Sequence, residues 1–341
     1  MSWESSTISR RGLLAAGGGI AAAAAVGAAP AGWAAAAAVP TGRFDLTAPS
    51  HDLFVHTKLY HVSRVMQSFA FDNRNRRLFV AQLQPNKHRD ADVHGDLCIN
   101  QLDFHGNRLG HMHINDCGHG VSFGVEPIGP ASVLWIEADA EKGADDHGWG
   151  TKLARVPYTA GKTISSVDVA QKFQPRPGLD RITCATDSYH KRMVVRYREN
   201  GVFHYALYDI DDVASSGLSA LPLYPPIKQP AGLGTFQGYT VYGDYLYMIT
   251  GHSCGKGGSS EADKCQHGEA DARVHSVDLR TGGSYRSAPT VAGLKRLTYN
   301  REPEGLAVYV TRSGTPRLFL GFASGKRNGR VANIFYKNHP S

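Results

Sequence analysis

Residues 67–82 read QSFAFDNRNRRLFVAQ. A short alternating strand runs into a turn built from Asn and Arg, and the chain returns as a strongly apolar strand, LFVAQ. The same construction comes back four times: HGVSFGVEPIGPASVLWIEAD at 119–139, DRITCATDSYHKRMVVRY at 180–197, FQGYTVYGDYLYMITG at 236–251 and PEGLAVYVTRSGTPRLFLGFA at 303–323. Each copy has a polar residue at or next to its start, then turns and returns as a strand such as VLWIEA, MVVRY, LYMIT or LFLGF. The copies recur about every 50–70 residues, a spacing compatible with the blades of a β-propeller.

Second hairpins fit between the copies, in GDLCINQLDFHGNRLGHMHI, GTKLARVPYTAGKTISSVDV, GVFHYALYDIDDV and ARVHSVDLRTGGSYRSAPTV. The last segment, RVANIFYKN, supplies only one further strand. LFVHTKLYHV, ahead of the first copy, is placed to complete that last blade, because closing the ring removes exposed sheet edges. Helical periodicity is nearly absent after residue 40; DIDDVASSGLSAL offers a turn or so at most. The expected fold is therefore all-β: a five-bladed β-propeller over roughly residues 44–338, closed by an N-terminal strand in the last blade. A six-bladed ring or a pair of β-sandwiches is the alternative.

The first 38 residues read as an address. Ser9-Arg10-Arg11-Gly12-Leu13-Leu14 is a twin-arginine signal, an Ala- and Gly-rich apolar run follows, and Ala34–Ala38 offers small-residue cleavage sites. The expected organisation is a signal peptide at 1–38 and one propeller domain at 39–341, exported through the twin-arginine pathway and free of the membrane after cleavage. Lys and Arg number 37 against 30 Asp and Glu, with a pI near 9.1, which suits a polyanionic partner without requiring one. No basic run with interleaved aromatics points to nucleic acid. An exported compartment permits disulfides. Cys254 and Cys265 bracket a Gly/Ser-rich loop and are the expected pair; Cys98 with Cys117 is a second pairing, and Cys184 reads as a buried thiol. A zinc set of Cys254, Cys265, His252 and His267 matches no common spacing.

In a propeller the innermost strands surround a central channel. The repeat alignment makes Gln67, His119, Arg181, Gln237 and Glu304 equivalent, one per blade, so all five are expected at one axial mouth. Asp187 and His190 join them as candidate substrate-binding residues. Arg181 suits a carboxylate or phosphate, His119 suits proton transfer near neutral pH, and Tyr189 suits proton donation in a β-elimination of an acidic sugar. His119, Arg181 and Tyr189 thus form the candidate catalytic set if the chain is a polysaccharide lyase. A glycoside hydrolase wants two carboxylates, and of the five axial positions only Glu304 is acidic, with Glu302 and Asp187 nearby. His111 and His113 share one side of a strand, but spacing fixes no third metal ligand. Asp139, Asp145 and Asp146 lack the regular spacing of a calcium loop. No metal or cofactor is expected. G-x-S-x-G elbows, Walker loops and a Rossmann fingerprint after a strand are absent.

The segments VMQSFAFDNRNRRLFVAQ, GDLCINQLDFHGNRLGHM, CGHGVSFGVEP and HGWGTKLARVPY resemble the TagC-like propellers, a family named after teichoic acid biosynthesis protein C that includes the receptor-binding propeller of a staphylococcal phage and many secreted actinobacterial proteins. The resemblance runs from about His61 to Tyr336. It implies a link to cell-wall glycopolymers and, through the phage relative, binding of wall teichoic acid. It carries over no catalytic residues, so the site residues rest on the repeat alone. The expected function is an exported, monomeric, glycan-binding propeller that takes an anionic or cell-wall polysaccharide, teichoic-acid-like or uronic-acid-containing, at its axial mouth. A carbohydrate-active lyase or hydrolase on such a polymer is the alternative, and a propeller acting through protein partners is a third reading.

Overall fold

The computed structural model describes residue 39 and residues 41–85, 89–217, 220–253, 271–297 and 299–338. Its strands build five sheets, antiparallel throughout except where the short strand Thr163–Ser165 joins the first. Strand β1 (His51–Thr57) precedes the first repeat. Blade 1 runs outward through β2 (Met66–Asp72), β3 (Arg77–Leu83), β4 (Leu97–Leu102) and β5 (Arg108–Asn115). Blade 2 contains β6 (Gly124–Ile128), β7 (Ala131–Lys142), β8 (Gly148–Pro157) and, at its outer edge, β10 (Lys172–Phe173); the intervening β9 (Thr163–Ser165) instead lies parallel to β5 of blade 1. Blade 3 is β11 (Asp180–Asp187), β12 (Arg192–Glu199), β13 (Val202–Asp209) and β14 (Ile227–Lys228). Blade 4 is β15 (Phe236–Tyr242), β16 (Tyr245–Thr250), β17 (Arg273–Asp278) and β18 (Arg286–Pro289). Blade 5 is β19 (Glu302–Val310), β20 (Pro316–Ser324) and β21 (Val331–Asn338), with β1 as its outer strand.

The expected closure is therefore present: β1 pairs antiparallel with β21, His51 opposite Tyr336 and Thr57 opposite Ala332. The inner strands β2, β6, β11, β15 and β19 touch in turn, and β19 touches β2 to complete the circle. The apolar core is a set of layers between blades. Phe69, Phe71 and Leu78 of blade 1 pack on Ala307, Phe319 and Ile334 of blade 5; Phe79 and Ile99 of blade 1 pack on Leu134 and Ile136 of blade 2. Equivalent layers join blades 2 and 3, 3 and 4, and 4 and 5. A strand buried on both faces needs apolar residues on both, which is why LFVAQL in β3 and LFLGFA in β20 are continuous hydrophobic runs. The hairpin read at 150–169 does not form: after β8 the chain crosses to the edge of blade 1 before returning as β10, so β9 bridges two blades. IDDVASS forms a seven-residue helix, α1 (Ile210–Ser216), capped by Asp209, whose carboxylate accepts from the Asp211 N–H at 2.8 Å.

Cys98, Cys117 and Cys184 are free and buried, which corrects the Cys98–Cys117 pairing. The Cys98 thiol sits in blade 1 beside His61 and His113, whereas Cys117 lies near the buried Glu137 carboxyl. Cys254, Cys265, His267 and the twin-arginine segment lie outside the described residues. No helix among the described residues is long and apolar enough to cross a membrane.

Near the axis, backbones approach more closely than side chains allow. Gly238 has φ +148°, and a Cβ there would lie 2.6 Å from the Gly305 Cα of the next blade. A Gly238→Ala substitution is expected to lower stability by roughly 1–3 kcal/mol through overpacking against backbone that cannot yield. Urea unfolding checks this; an unchanged midpoint would show that blades 4 and 5 are not in such close contact.

Candidate functional site

The antiparallel ladder between the first two strands slips at one place in four of the five blades. The breaks fall between Met66 and Ser68, between Asp180 and Thr183, between Phe236 and Gly238, and between Pro303 and Leu306. The stretches that lose their register partner contain Gln67, Arg181, Gln237 and Glu304. A β-bulge frees a residue from the alternation of the pleat and re-aims its side chain. All four side chains line one cavity of about 250 Å³, together with His119. Blade 2 reaches the cavity differently. Its inner strand starts only at Gly124, and His119 stands in the preceding loop. That loop is wrapped around the fully buried Glu137 of β7, which accepts the Gly120 N–H at 2.8 Å and the Gly150 N–H at 3.2 Å. Burial pushes the Glu137 carboxyl up to about 7 against those hydrogen bonds.

Five further residues complete the lining: Val121 of the loop before β6, Trp149 of β8, Arg196 of β12, Phe203 of β13 and Phe236 of β15. Both cations lie over aromatic rings. The Arg181 guanidinium lies 4.1 Å from the Trp149 ring centroid and donates to Asp145 at 2.9 Å. Arg196 lies 3.5 Å from Phe203 and 4.1 Å from Phe236, and its guanidinium donates to the Gln229 Oε1. Arg181 has φ +52°, an unfavourable conformation for a side chain of this type, maintained by its surroundings. Burial opposes the Asp145 charge, yet hydrogen bonds from Trp149 and Arg181 hold its carboxyl at about 2.

Two polar atoms of this cavity, the His119 Nδ1 and the Arg181 Nε, are buried with no hydrogen-bond partner among the described residues. Glu304 is 5% exposed. Burial, and next the nearby Glu302, raise it well above the usual carboxyl range. Burial and then His147 lower His119 to about 4, so its imidazole is neutral at pH 7. The cavity thus presents two fixed guanidinium groups, two amides, a neutral imidazole and a carboxyl that keeps its proton to unusually high pH. Such a set can donate hydrogen bonds to an oxyanion and exchange them with hydroxyls, next to three aromatic rings.

The cavity does not include Asp187, Tyr189 or His190. β11 carries the chain away from Arg181, and its eight residues span roughly 25 Å. These three stand at the far end of the ring. Asp187 is a turn fastener there: it accepts the backbone N–H groups of Tyr189 and His190, the His190 Nδ1 at 2.7 Å and the Gly243 N–H of blade 4 at 2.8 Å. Tyr189 is exposed beside a separate opening that Arg74, Lys191 and Asp211 also line. This corrects the assembly of His119, Arg181 and Tyr189 as one catalytic set, since its proton donor faces the opposite end. The acidic loop carboxylates are engaged by cations: Asp139 by Lys152 and Lys172, Asp145 by Arg181 and Asp146 by Lys142.

The fold is that of a five-bladed β-propeller with a polar cavity on its axis. The chain belongs to the family described as the phage 5-bladed beta propeller receptor binding platform domain, whose model matches residues 65–336. Over 299 residues it is 26% identical to the Bacillus subtilis (strain 168) protein that carries the name major teichoic acid biosynthesis protein C; the match covers 86% of this chain and 63% of that protein. The chain therefore spans less than two thirds of the relative it matches. Among solved structures, the tail fiber of Staphylococcus aureus phage P68 superposes with a TM-score of 0.65 at 17% identity, over 86% of this chain and 54% of that one, a likeness of fold.

The His119 loop gives a prediction of known sign. The folded-state pKa of Glu137, about 7, lies above its ordinary 4.5. Its protonated form therefore contributes stability that is fully present below pH 4.5 and is lost as pH rises through 7. Relative to Glu137→Gln, which cannot titrate, the natural protein is expected to lose about 3 kcal/mol between pH 4.5 and 7.5. Urea unfolding of both proteins across that range reads the difference; parallel pH profiles would contradict the assignment.

Proposed function

We propose that this protein is an exported binding module that takes a phosphate- and hydroxyl-bearing cell-surface glycopolymer, of the teichoic acid type, into the axial cavity. The observation that carries this reading is the convergence of one polar side chain from each blade with two arginines packed on aromatic rings around the buried Glu304. Guanidinium groups suit phosphodiester oxygens, while Gln67, Gln237 and His119 suit polyol hydroxyls. Membership of a receptor-binding platform family and the name of the Bacillus subtilis relative support the same ligand class. The twin-arginine reading of residues 9–14 supports export, where such a polymer is met.

The test is calorimetric titration with purified poly(glycerol phosphate) teichoic acid, with dextran as the uncharged comparison. Binding of the phosphate polymer alone is expected, and Arg181→Ala should weaken it at least about tenfold by removing a charge-assisted hydrogen bond. Equal affinity for dextran, or an unaffected Arg181→Ala protein, would defeat the proposal.

Glu304 adds a pH signature. Below its raised pKa the carboxyl is neutral and can donate to the polymer; above it, a negative charge faces phosphate. Affinity is expected to fall as pH rises through that transition, and Glu304→Gln should bind with little pH dependence. His119, already neutral, contributes no change there. Matching pH profiles for the two proteins would remove Glu304 from the site.

A further inference from the structure

Outside the axial cavity, one cluster of ligating atoms has no role in the reading above. The His61 and His113 Nε2 atoms are 3.1 Å apart, and with the Cys98 Sγ the three atoms lie within 4.8 Å of one another. Sequence spacing offered His111 and His113 without a third ligand. The fold supplies two more from separate segments. Cys98 on β4 sits directly opposite His113 on β5 in the antiparallel register. His61 arrives from the connection between β1 and β2, which lies over this sheet.

That connection is fastened by buried amides. The Gln82 Oε1 accepts the His61 N–H at 3.0 Å, and its Nε2 donates to the His61 carbonyl at 3.0 Å. The Asn100 Oδ1 accepts the Tyr60 N–H at 2.8 Å, and the Asn100 Nδ2 donates to the Gln82 Oε1 at 3.1 Å. Gln82 and Asn100 are completely buried. Tyr60 then stacks on His111 at 3.6 Å, beside the pair of rings. Cys98 is fully buried, and His61 and His113 are half-buried, so one side of the cluster reaches solvent.

We propose that His61, Cys98 and His113 form a binding site for a divalent transition ion of the zinc class. Two imidazoles and a thiolate are the donor set that a borderline-soft ion prefers. Tetrahedral zinc with bonds of roughly 2.0–2.1 Å to nitrogen separates its two nitrogen donors by about 3.3 Å, close to the spacing here. Three protein ligands leave a fourth position for water or an external ligand. The proton balance is simple. The proton shared between the two Nε2 atoms moves to Nδ1 of its own ring, the thiol proton goes to solvent, and the ion takes three lone pairs. Cys98 pairs with Gln82 on β3, which in turn pairs with Met66 on β2, so the site lies level with Gln67 at the same end of the ring. It is two to three strands, about 10–15 Å, further out.

The probe is Co²⁺ titrated into the purified, reduced protein, followed by competition with Zn²⁺. A single equivalent should give a tetrahedral visible spectrum and a near-ultraviolet thiolate-to-cobalt band, both abolished by Zn²⁺. Cys98→Ser should lose the thiolate band. His61→Ala and His113→Ala should each weaken binding more than about 100-fold, beyond the loss of an outer-sphere partner. The double variant Cys254→Ser/Cys265→Ser should retain the full signal. A thiolate band that survives Cys98→Ser, or no tetrahedral spectrum in a natural protein shown to be folded by circular dichroism, would overturn the proposal. His61→Ala changes a half-buried connecting residue, so it keeps the test open if a core variant fails to fold.

Discussion

Contact between β19 and β2 at the axis is the constraint on which the rest depends. Once those strands meet, the five inner strands form a closed circle around the axis, and equivalent positions of each repeat must face one another. β1 makes the matching closure at the rim by pairing with β21. The interblade layers of Phe, Leu, Ile and Val hold the sheets face to face. Gly238 and Gly305 let two backbones approach where no Cβ fits. The site is a consequence of this closure: a bulge at the start of an inner strand would be an isolated irregularity in an open sheet, whereas four of them around a ring converge.

What converges is arranged for binding. Each arginine has a counterpart that immobilises it: Trp149 and Asp145 for Arg181, Phe203, Phe236 and Gln229 for Arg196. A guanidinium fixed in advance loses less conformational freedom when it meets an anion. The same burial that keeps His119 neutral raises Glu304, so negative charge on that carboxyl is disfavoured while the cations remain. The opposite end of the ring is built otherwise. There Asp72 accepts from Ser132 of the next blade, Asp187 accepts from Gly243 and Asn73 accepts from Val310, all structural fastenings between hairpins.

The ring and its five axial residues were legible because a repeat places its members by alignment, and alignment needs no side-chain geometry. The reading failed where sequence proximity was taken for spatial proximity. Tyr189 is eight residues from Arg181, but those residues form an extended strand that runs the depth of the ring. His119 aligned with strand starts although its own strand begins later, because a loop gathered on the buried Glu137 takes the place of a bulge. Trp149, Arg196 and Phe203 were missed because they come from second and third strands, whose alternation gave no reason to choose them over their neighbours. The third ligand beside His113 was invisible for a related reason: His61 precedes the first repeat and meets Cys98 only through the fold.

A crystal structure of the protein soaked with a short glycerol phosphate oligomer tests the central claim most directly. The account predicts a phosphate between Arg181 and Arg196, with a polyol hydroxyl within hydrogen-bond distance of Gln67, Gln237 or Glu304. An oligomer seated instead at the Tyr189 opening, or along the outer strands with the axial cavity holding only water, would contradict it.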